Sequence, residues 1–284
     1  MKSKFFTLLF GLFIIPSVIG WADQGHQITG YIAQKLLNPE VANRVAKIIQ
    51  EPAYHGQLTD LAPWADYAKY PWSKELHFAN THDNPPDTCH VDYDHDCLGD
   101  RCVMGAIVNY TRRLDCGSDL DAFQRDEALK FLTHFMGDIT QPLHVSGKMG
   151  GVRTKARFKK NKRTTLHIVW DLLILKKRTR EDFHDDFKLY AEFLLDKIRN
   201  EYAHEVGSWY ACNVNDLPGL LKCVLPWSVE SNAMNCEFVW HYSEDEALED
   251  RYYQESKPIV DKSLAEAGYR LARLLNELLS KSGC

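Results

Sequence analysis

Two histidine–aspartate pairs are the residues of this sequence whose types and spacing best suit chemistry. His134 precedes Asp138 by four positions, and His167 precedes Asp171 by the same interval. Four positions along a helix bring two side chains to one face, so each pair can hold a metal ion. Both pairs lie in apolar segments, where imidazole and carboxylate groups are costly unless hydrogen-bonded or metal-bound. The pairs indicate metal sites, with internally satisfied hydrogen-bonded pairs as the alternative.

Further imidazole and carboxylate groups flank these pairs along the chain. Gln141-Pro142 should end the helix that carries the first pair, so His144 can face a different ion. Asp66 and His77 lie upstream in an aromatic-rich segment. Such ligands without a neighbouring cysteine are typical of catalytic zinc sites, which keep a position open for water.

The first twenty residues have the pattern of a secretory signal peptide. Two lysines are followed by an apolar run and then by small residues. We expect cleavage after Gly20, secretion, and no membrane anchor, because the apolar run is too short to cross a bilayer. Cleavage there would free the amine of Trp21. That amine and the adjacent carbonyl could then chelate a metal together with His26.

Composition restricts the classes of function. The formal net charge is −5, which is not the basic balance expected of a passive nucleic-acid binder. The sequence contains no HExxH, no GxSxG and no glycine-rich phosphate loop. All eight cysteines follow the signal peptide, which favours disulfides over a thiolate metal site. Cys97–Cys102 and Cys212–Cys223 are candidate local loops, and Asn109 begins a glycosylation sequon.

Helical periodicity dominates the segments that must position these groups. Apolar residues recur at three- and four-residue steps in ITGYIAQKLLNPEVANRVAKIIQ, RDEALKFLTHFMGDI, TTLHIVWDLLIL, EDFHDDFKLYAEFLLDKIRNEYAH and KPIVDKSLAEAGYRLARLLNELLSK. Asn38-Pro39 should separate two helices, and the second segment predicts a helix from about Arg125 to Ile139. Strand patterns are scarce, and no linker or repeat divides the chain. Residues 21–284 are therefore predicted to form one mainly all-α domain with long, disulfide-linked loops.

One stretch of the chain is strongly basic. Residues 148–163 contain eight lysines and arginines and no acid. Such a stretch is either a solvated surface loop or a flap that attracts phosphates, because clustered cations steer polyanions. The candidate phosphate contacts are Lys148, Arg153, Lys155, Arg157, Lys159 and Lys160.

The candidate ligands follow one another in an order typical of a known family. The ordered series is Trp21, His26, Asp66, His77, His134, Asp138, His144, His167 and Asp171. With the motifs HFMGDITQPLH, LHIVWD and AGYRLARLLNELL, it resembles the zinc-dependent single-strand nucleases of fungi and plants, which include 3′-nucleotidases of protozoan parasites. The resemblance covers nearly all of the predicted mature chain. It implies a mainly helical fold with a cleft that holds three zinc ions.

The resemblance also implies how the ligands are divided among the ions. The first ion would be bound by Asp66, His77, His134 and Asp138. The second ion would be bound by His144, His167 and Asp171. The third ion would be bound by the amine and carbonyl of Trp21, by His26 and by Asp138. Asp138 would then bridge two ions.

The implied activity is hydrolysis of phosphodiester bonds in single-stranded DNA and RNA to 5′-phosphate products, with 3′-nucleotides as further substrates. Zinc-activated hydroxide would attack phosphorus in line, and Asp66 would orient the attacking water. Lys69 would supply charge, and Phe78 would stack on an unpaired base, with ordinary core packing as its alternative. We also expect a monomer.

The chain departs from the family pattern at two places, and the spacing from Asp66 to His77, which is slightly shorter than usual, is the first. The family has Gly-Gly-Asn where this sequence has Gly150-Gly151-Val152, which puts an amide contact to the base in doubt. A zinc-dependent phospholipase C is the closest alternative. Its last pair ends in glutamate rather than the Asp171 found here, and its first histidine lies further from the tryptophan. A zinc-stabilised secreted binding protein without turnover is the alternative from another class.

Overall fold

Helices build most of the chain in the computed structural model, which describes residues 21–216 and 219–281. The longer helices are α1 (Asp23–Leu36), α2 (Pro39–Ile48), α6 (Val103–Leu114), α7 (Ala122–Asp138), α9 (Ile174–Phe183), α10 (Phe187–Arg199), α11 (Leu221–Met234) and α12 (Arg251–Leu279). Single-turn helices are α3 (Leu58–Leu61), α4 (Trp64–Tyr67), α5 (Tyr93–Asp96) and α8 (Leu166–Ile168). The predicted signal peptide lies outside the described residues.

Short elements connect these helices. Tight 3-10 turns occupy Pro52–Tyr54, Pro71–His77, Leu98–Asp100, Pro142–His144, Lys148–Gly151 and Val206–Trp209. Wider π-helical turns follow α8 and α11 at Val169–Leu173 and Asn235–Val239. The antiparallel strands β1 (Lys155–Arg157) and β2 (Arg163–Thr165) pair with Ala156 opposite Thr164. Much of the basic stretch is thus a hairpin, which the sparse strand pattern did not predict.

Helix α7 lies at the centre of the packing and carries two candidate ligands. It begins with a capping box between Asp121 and Gln124, which satisfies amide groups that the first helical turn leaves free. Every residue from Ala128 to Asp138 is buried, so this half of the helix has no solvent face. Helix α7 packs against α1, α6 and α12, and α1 in turn packs along α12.

The predicted helical fold is confirmed, with two differences at boundaries. Helix α1 ends before Asn38 and α2 begins at Pro39, as the proline position predicts. Helix α7 begins three residues before the expected Arg125. The segment expected to form one helix near residue 184 is instead divided, because His184 and Asp185 adopt positive φ angles of 55° and 61°.

Disulfides tie the loops to the helices. The predicted local pairs Cys97–Cys102 and Cys212–Cys223 are both formed. Cys89 is bonded to Cys236, 147 positions away, which ties the loop after Asn80 to the π-helical turn after α11. Over the described residues, no helix combines the length and the apolar character needed to span a membrane.

Candidate metal centre

Two helices from distant parts of the sequence meet where the first ligand pair was predicted. His134 and Asp138 are fully buried on α7, and His26 on α1 is equally buried. The His26 ring stacks on the His134 ring with centroids 3.6 Å apart. His26 Nε2 lies 3.6 Å from Asp138 Oδ1. His26, His134 and Asp138 therefore form one group of potential metal ligands whose donor atoms all lie within 4.8 Å of one another.

A second group shares His134 with the first. Asp66 lies on α4, and His77 lies at the end of a 3-10 turn. His134 Nε2 lies 3.4 Å from Asp66 Oδ1 and 3.1 Å from His77 Nδ1. His77 Nδ1 also lies 3.1 Å from Asp138 Oδ2. The four residues predicted for the first ion are thus brought together, and Asp138 contacts ligands of both groups.

A third group lies beyond the end of α7. Pro142 begins a new turn, which brings His144 back toward Asp138 with 3.3 Å between Nδ1 and Oδ1. His167 Nε2 lies 2.8 Å from Asp171 Oδ2, and His144 Nε2 lies 3.7 Å from Asp171 Oδ1. His144, His167 and Asp171 therefore form a buried group of potential ligands, and they are the residues predicted for the second ion.

In several of the histidines, one ring nitrogen is held by a hydrogen bond and the other is available to bind a metal ion. Nδ1 of His134, His144 and His167 lies 2.7–2.9 Å from a backbone carbonyl oxygen. A carbonyl can only accept, so Nδ1 carries a hydrogen, and in the neutral ring Nε2 keeps its lone pair. Nε2 of His144 and His167 is buried without a hydrogen-bond partner, as are both ring nitrogens of His26. Buried nitrogens of this kind fit metal ligands whose orientation is fixed from behind.

Carboxylate oxygens of the same site are also without partners. Asp66 Oδ2 and Asp138 Oδ1 are buried and lack a hydrogen bond. Imidazole nitrogens and carboxylate oxygens are the donor set that zinc accepts at catalytic sites. The residues present therefore fit bound metal ions.

Protonation of this cluster is strongly perturbed by burial and by mutual charge. Burial lowers the pKa of His26 to about 3, so its ring is neutral. Burial also opposes charge on His134 and His144, but neighbouring carboxylates outweigh it. Asp138 and Asp66 hold the pKa of His134 well above its usual value, and Asp138 raises that of His144 to about 9. The pKa of Asp138 stays far below its usual range despite burial, because His134 and His144 surround it. Protons and metal cations thus compete for one anionic site.

Trp21 lies at the edge of the third group. Its side chain is fully buried in an apolar cluster that also contains Ile28 and Leu175. The next residue, Ala22, donates its backbone N–H to the carbonyl oxygen of Asp171 at 2.9 Å. The first described residues are therefore fixed next to a candidate ligand.

The predicted substrate residues differ in their surroundings. Phe78 is half-buried and lines a small pocket with Gly150 and His167, so its ring stands beside the third group. Asn80 lines the same pocket, as does Val152, the position where the expected amide is lacking. Lys69 is exposed, and within the described part of the chain no contact joins it to the metal-ligand groups.

The basic residues also separate into two kinds. Lys148 donates to the carbonyl of Pro85, and Arg157 pairs with Asp245, so these two charges are engaged within the protein. The remaining candidates are exposed, and over the described residues they form no ion pair: Arg153, Lys155, Lys159 and Lys160.

Sequence reasoning missed several residues that shape the site. Gly137 leaves room for the His26 ring, Gln141 donates a hydrogen bond to Asp171, and Asn80 lines the pocket of Phe78. None of these side chains is a usual zinc ligand. Gly137 and Gln141 lie within the motif HFMGDITQPLH, but only the proline after Gln141 indicated a structural feature, the end of the helix.

A mainly helical chain with three adjoining groups of histidine and aspartate defines a candidate multinuclear metalloenzyme. The family model described as S1/P1 Nuclease matches residues 21–280. Endonuclease 2 of Arabidopsis thaliana is 35% identical, over 94% of this chain and 93% of its own length. Nuclease P1 of Penicillium citrinum is 32% identical, over 91% of this chain and 97% of its own length. Nuclease S1 of Aspergillus oryzae is 31% identical, over 92% of this chain and 93% of its own length. The chain belongs to the S1/P1 nuclease family, and it is a nuclease.

Proposed function

We propose that this protein is a zinc-dependent endonuclease that hydrolyses single-stranded DNA and RNA to 5′-phosphate products and also acts on 3′-nucleotides. The observation that carries the proposal is the set of three adjoining ligand groups, in which several buried nitrogen and oxygen atoms lack hydrogen-bond partners. Family membership supplies the class of reaction.

We assign three zinc ions to this site. The first would be held by Asp66, His77, His134 and Asp138, and the second by His144, His167 and Asp171. The third would be held by His26, Asp138 and the amine and carbonyl of Trp21. When bound, zinc lowers the pKa of coordinated water to near neutrality and stabilises negative charge on phosphate oxygens.

The carboxylates of the site supply orientation and charge. The pKa of Asp66 is lowered despite its burial, because the His134 imidazole lies beside it, so the carboxylate stays ionised. Its Oδ2 has no hydrogen-bond partner and can accept a hydrogen bond from the attacking water. Asp138 contacts ligands of all three groups and holds them at a common centre.

Substrate recognition would begin at Phe78. Its ring lines the pocket beside His167, where an unpaired base can stack close to the reacting phosphate. A paired base offers no free face, which is a physical reason for preferring single strands. Asn80 stands on the same wall and can supply the amide that Val152 lacks. Lys69 would contribute positive charge.

The exposed cations of the hairpin would bind phosphates further along a polynucleotide. Arg153, Lys155, Lys159 and Lys160 have no acidic partner among the described residues, so their charges are free to attract phosphates. The 3-10 turn that precedes the hairpin contains Gly150, whose carbonyl accepts a hydrogen bond from His167. The basic stretch therefore begins beside the metal-ligand groups.

We further propose that the protein is secreted as a monomer after cleavage following Gly20. The disulfides are typical of an oxidising compartment. Cleavage at that point would also create the free amine that the third ion requires.

One substrate panel tests the proposed function. The purified mature protein would be assayed on single-stranded DNA, duplex DNA, RNA, a 3′-nucleotide and phosphatidylcholine, with and without chelator. We expect zinc-dependent hydrolysis of the single strands and the 3′-nucleotide. Hydrolysis of phosphatidylcholine alone would identify a phospholipase instead. Full zinc occupancy without turnover on any substrate would identify a binding protein.

A further inference from the structure

Gln141 forms a hydrogen-bonded bridge between the turn after α7 and a candidate ligand. Its side chain is fully buried. Its Oε1 accepts the backbone N–H of Leu143 at 2.6 Å, and its Nε2 donates to Oδ1 of Asp171. Because a backbone N–H can only donate, the oxygen of this amide must face Leu143. The NH₂ group must then face Asp171.

The turn that carries this glutamine is anchored to helix α11 and to the π-helical turn that follows it. Ser231 donates its hydroxyl hydrogen to the carbonyl oxygen of Ile139 at 2.6 Å. Asn235 donates to the carbonyl oxygens of Pro142 and Val145 at 2.8 and 3.1 Å. These carbonyls lie beyond the end of α7. That of Pro142 also accepts the backbone N–H of Val145, and that of Val145 also accepts the side-chain amide of Asn232. The anchors keep the glutamine side chain at a fixed distance from the facing aspartate.

The bridge occupies one oxygen of Asp171 and leaves the other beside His167, a member of the same ligand group. Asp171 Oδ1 is taken by the glutamine, whereas Oδ2 lies 2.8 Å from His167 Nε2. Nε2 of His144 has no hydrogen-bond partner and lies 3.7 Å from Oδ1 of the same carboxylate. We propose that Gln141 is a positioning residue, which fixes the carboxylate of Asp171 so that Oδ2 is directed to a metal ion. This inference rests on the proposed zinc site of His144, His167 and Asp171.

The test replaces the NH₂ hydrogen-bond donor of Gln141 while it preserves the size and shape of the side chain. Gln141→Glu keeps an oxygen for the N–H of Leu143, but it replaces the NH₂ donor with a carboxylate facing Asp171. The milder Gln141→Asn keeps an amide and avoids new charge, but it is too short for both contacts. The matched control is Gln34→Glu. Gln34 also accepts a backbone N–H, that of Leu58 at 3.0 Å, and it belongs to none of the ligand groups.

The measurement is zinc affinity at equilibrium, by chelator competition on mature protein stripped of metal and reloaded with zinc. We expect the Gln141 variants to bind one zinc about 10–100-fold more weakly, while the other two keep wild-type affinity. The Gln34→Glu control should retain all three affinities. The thermal midpoint of each metal-free variant reports folding independently, and Gln141→Asn serves if Gln141→Glu does not fold.

Two results would overturn the inference, and a third concerns the proposed function itself. Unchanged zinc affinity in a folded variant would show that Gln141 does not position Asp171. Equal weakening of all three zinc ions would indicate general loosening of the fold. A wild-type protein that takes up no zinc at this group would instead contradict the proposed metal site.

Discussion

The His26 ring reaches the metal-ligand groups at Gly137, the one position of helix α7 that has no side chain. It lies over Gly137 of α7 and stacks on His134, one turn earlier on the same helix. A methyl group at position 137 would stand 2.8 Å from His26 Nδ1 and 3.2 Å from its Cε1. The substitution Gly137→Ala therefore acts directly on the position of this ring.

The structure gives the distance by which the His26 ring must move in the Gly137→Ala variant. Ordinary contact with a methyl carbon begins near 3.4 Å, so the ring must move by about 0.6 Å or more. Both residues are fully buried, which leaves no open space for the movement. Alanine favours the helix by about 1 kcal/mol over glycine, and overpacking costs about 1–3 kcal/mol, so the net change in stability is small. A catalytic group misplaced by about 1 Å can cost about 100-fold in rate.

We expect Gly137→Ala to lower kcat on single-stranded DNA by about 10- to 100-fold. Its free energy of unfolding in the metal-free state should change by less than about 2 kcal/mol. The assay combines steady-state kinetics, zinc content and denaturant unfolding. Gly207→Ala is the matched control, because a methyl group there meets no atom within 4 Å. Wild-type kcat and zinc content in Gly137→Ala would refute this account of His26.

Three further outcomes follow from the structure. Asp138→Asn should remove more than one zinc per chain and lower kcat/KM by at least about 100-fold, because its carboxylate contacts ligands of all three groups; full zinc content in this variant would count against the shared role. The double variant Lys159→Gln, Lys160→Gln should raise KM for an oligonucleotide but not for a 3′-nucleotide. It should also reduce the slope of log KM against log salt concentration by about 1.4. Equal effects on both substrates would show that the hairpin does not bind phosphates further along a polynucleotide. Burial, with Glu230 nearby, raises the pKa of Glu266 to about 8. The folded state then keeps a proton that the unfolded state loses near pH 4.5, so stability falls as pH rises from about 4.5 to 8. Glu266→Gln should remove that fall and gain on the order of a few kcal/mol relative to wild type at pH 8, measured as the thermal midpoint against pH; a difference independent of pH would contradict it.

Local patterns in the sequence were sufficient to predict most of the helices. Pro39 begins α2, Pro142 follows the end of α7, and the four-residue spacing of His134 and Asp138 places both side chains on one buried face. These features depend on neighbouring residues only. The break at His184 was missed because a positive φ is uncommon for residues other than glycine, so composition gives no signal there.

The meeting of the ligand groups could not be worked out from spacing alone. His26 reaches His134 through the packing of α1 against α7, and Asp66 reaches it from a separate single-turn helix. Periodicity identifies the buried face of a helix but not the element that packs against it. The division of the ligands among the ions was therefore predicted from the resemblance to a known family. Gly137 and Gln141 remained unnoticed because they act by volume and by hydrogen bonding rather than as ligands.

The most direct test of the account is to measure zinc content and hydrolysis of single-stranded DNA on the same sample. The mature protein would be measured as purified, after chelation, and after zinc is restored. We predict three zinc ions per chain, with activity lost on chelation and recovered with the metal. Full activity in protein free of zinc would contradict the central claim that the His/Asp groups act as a zinc centre.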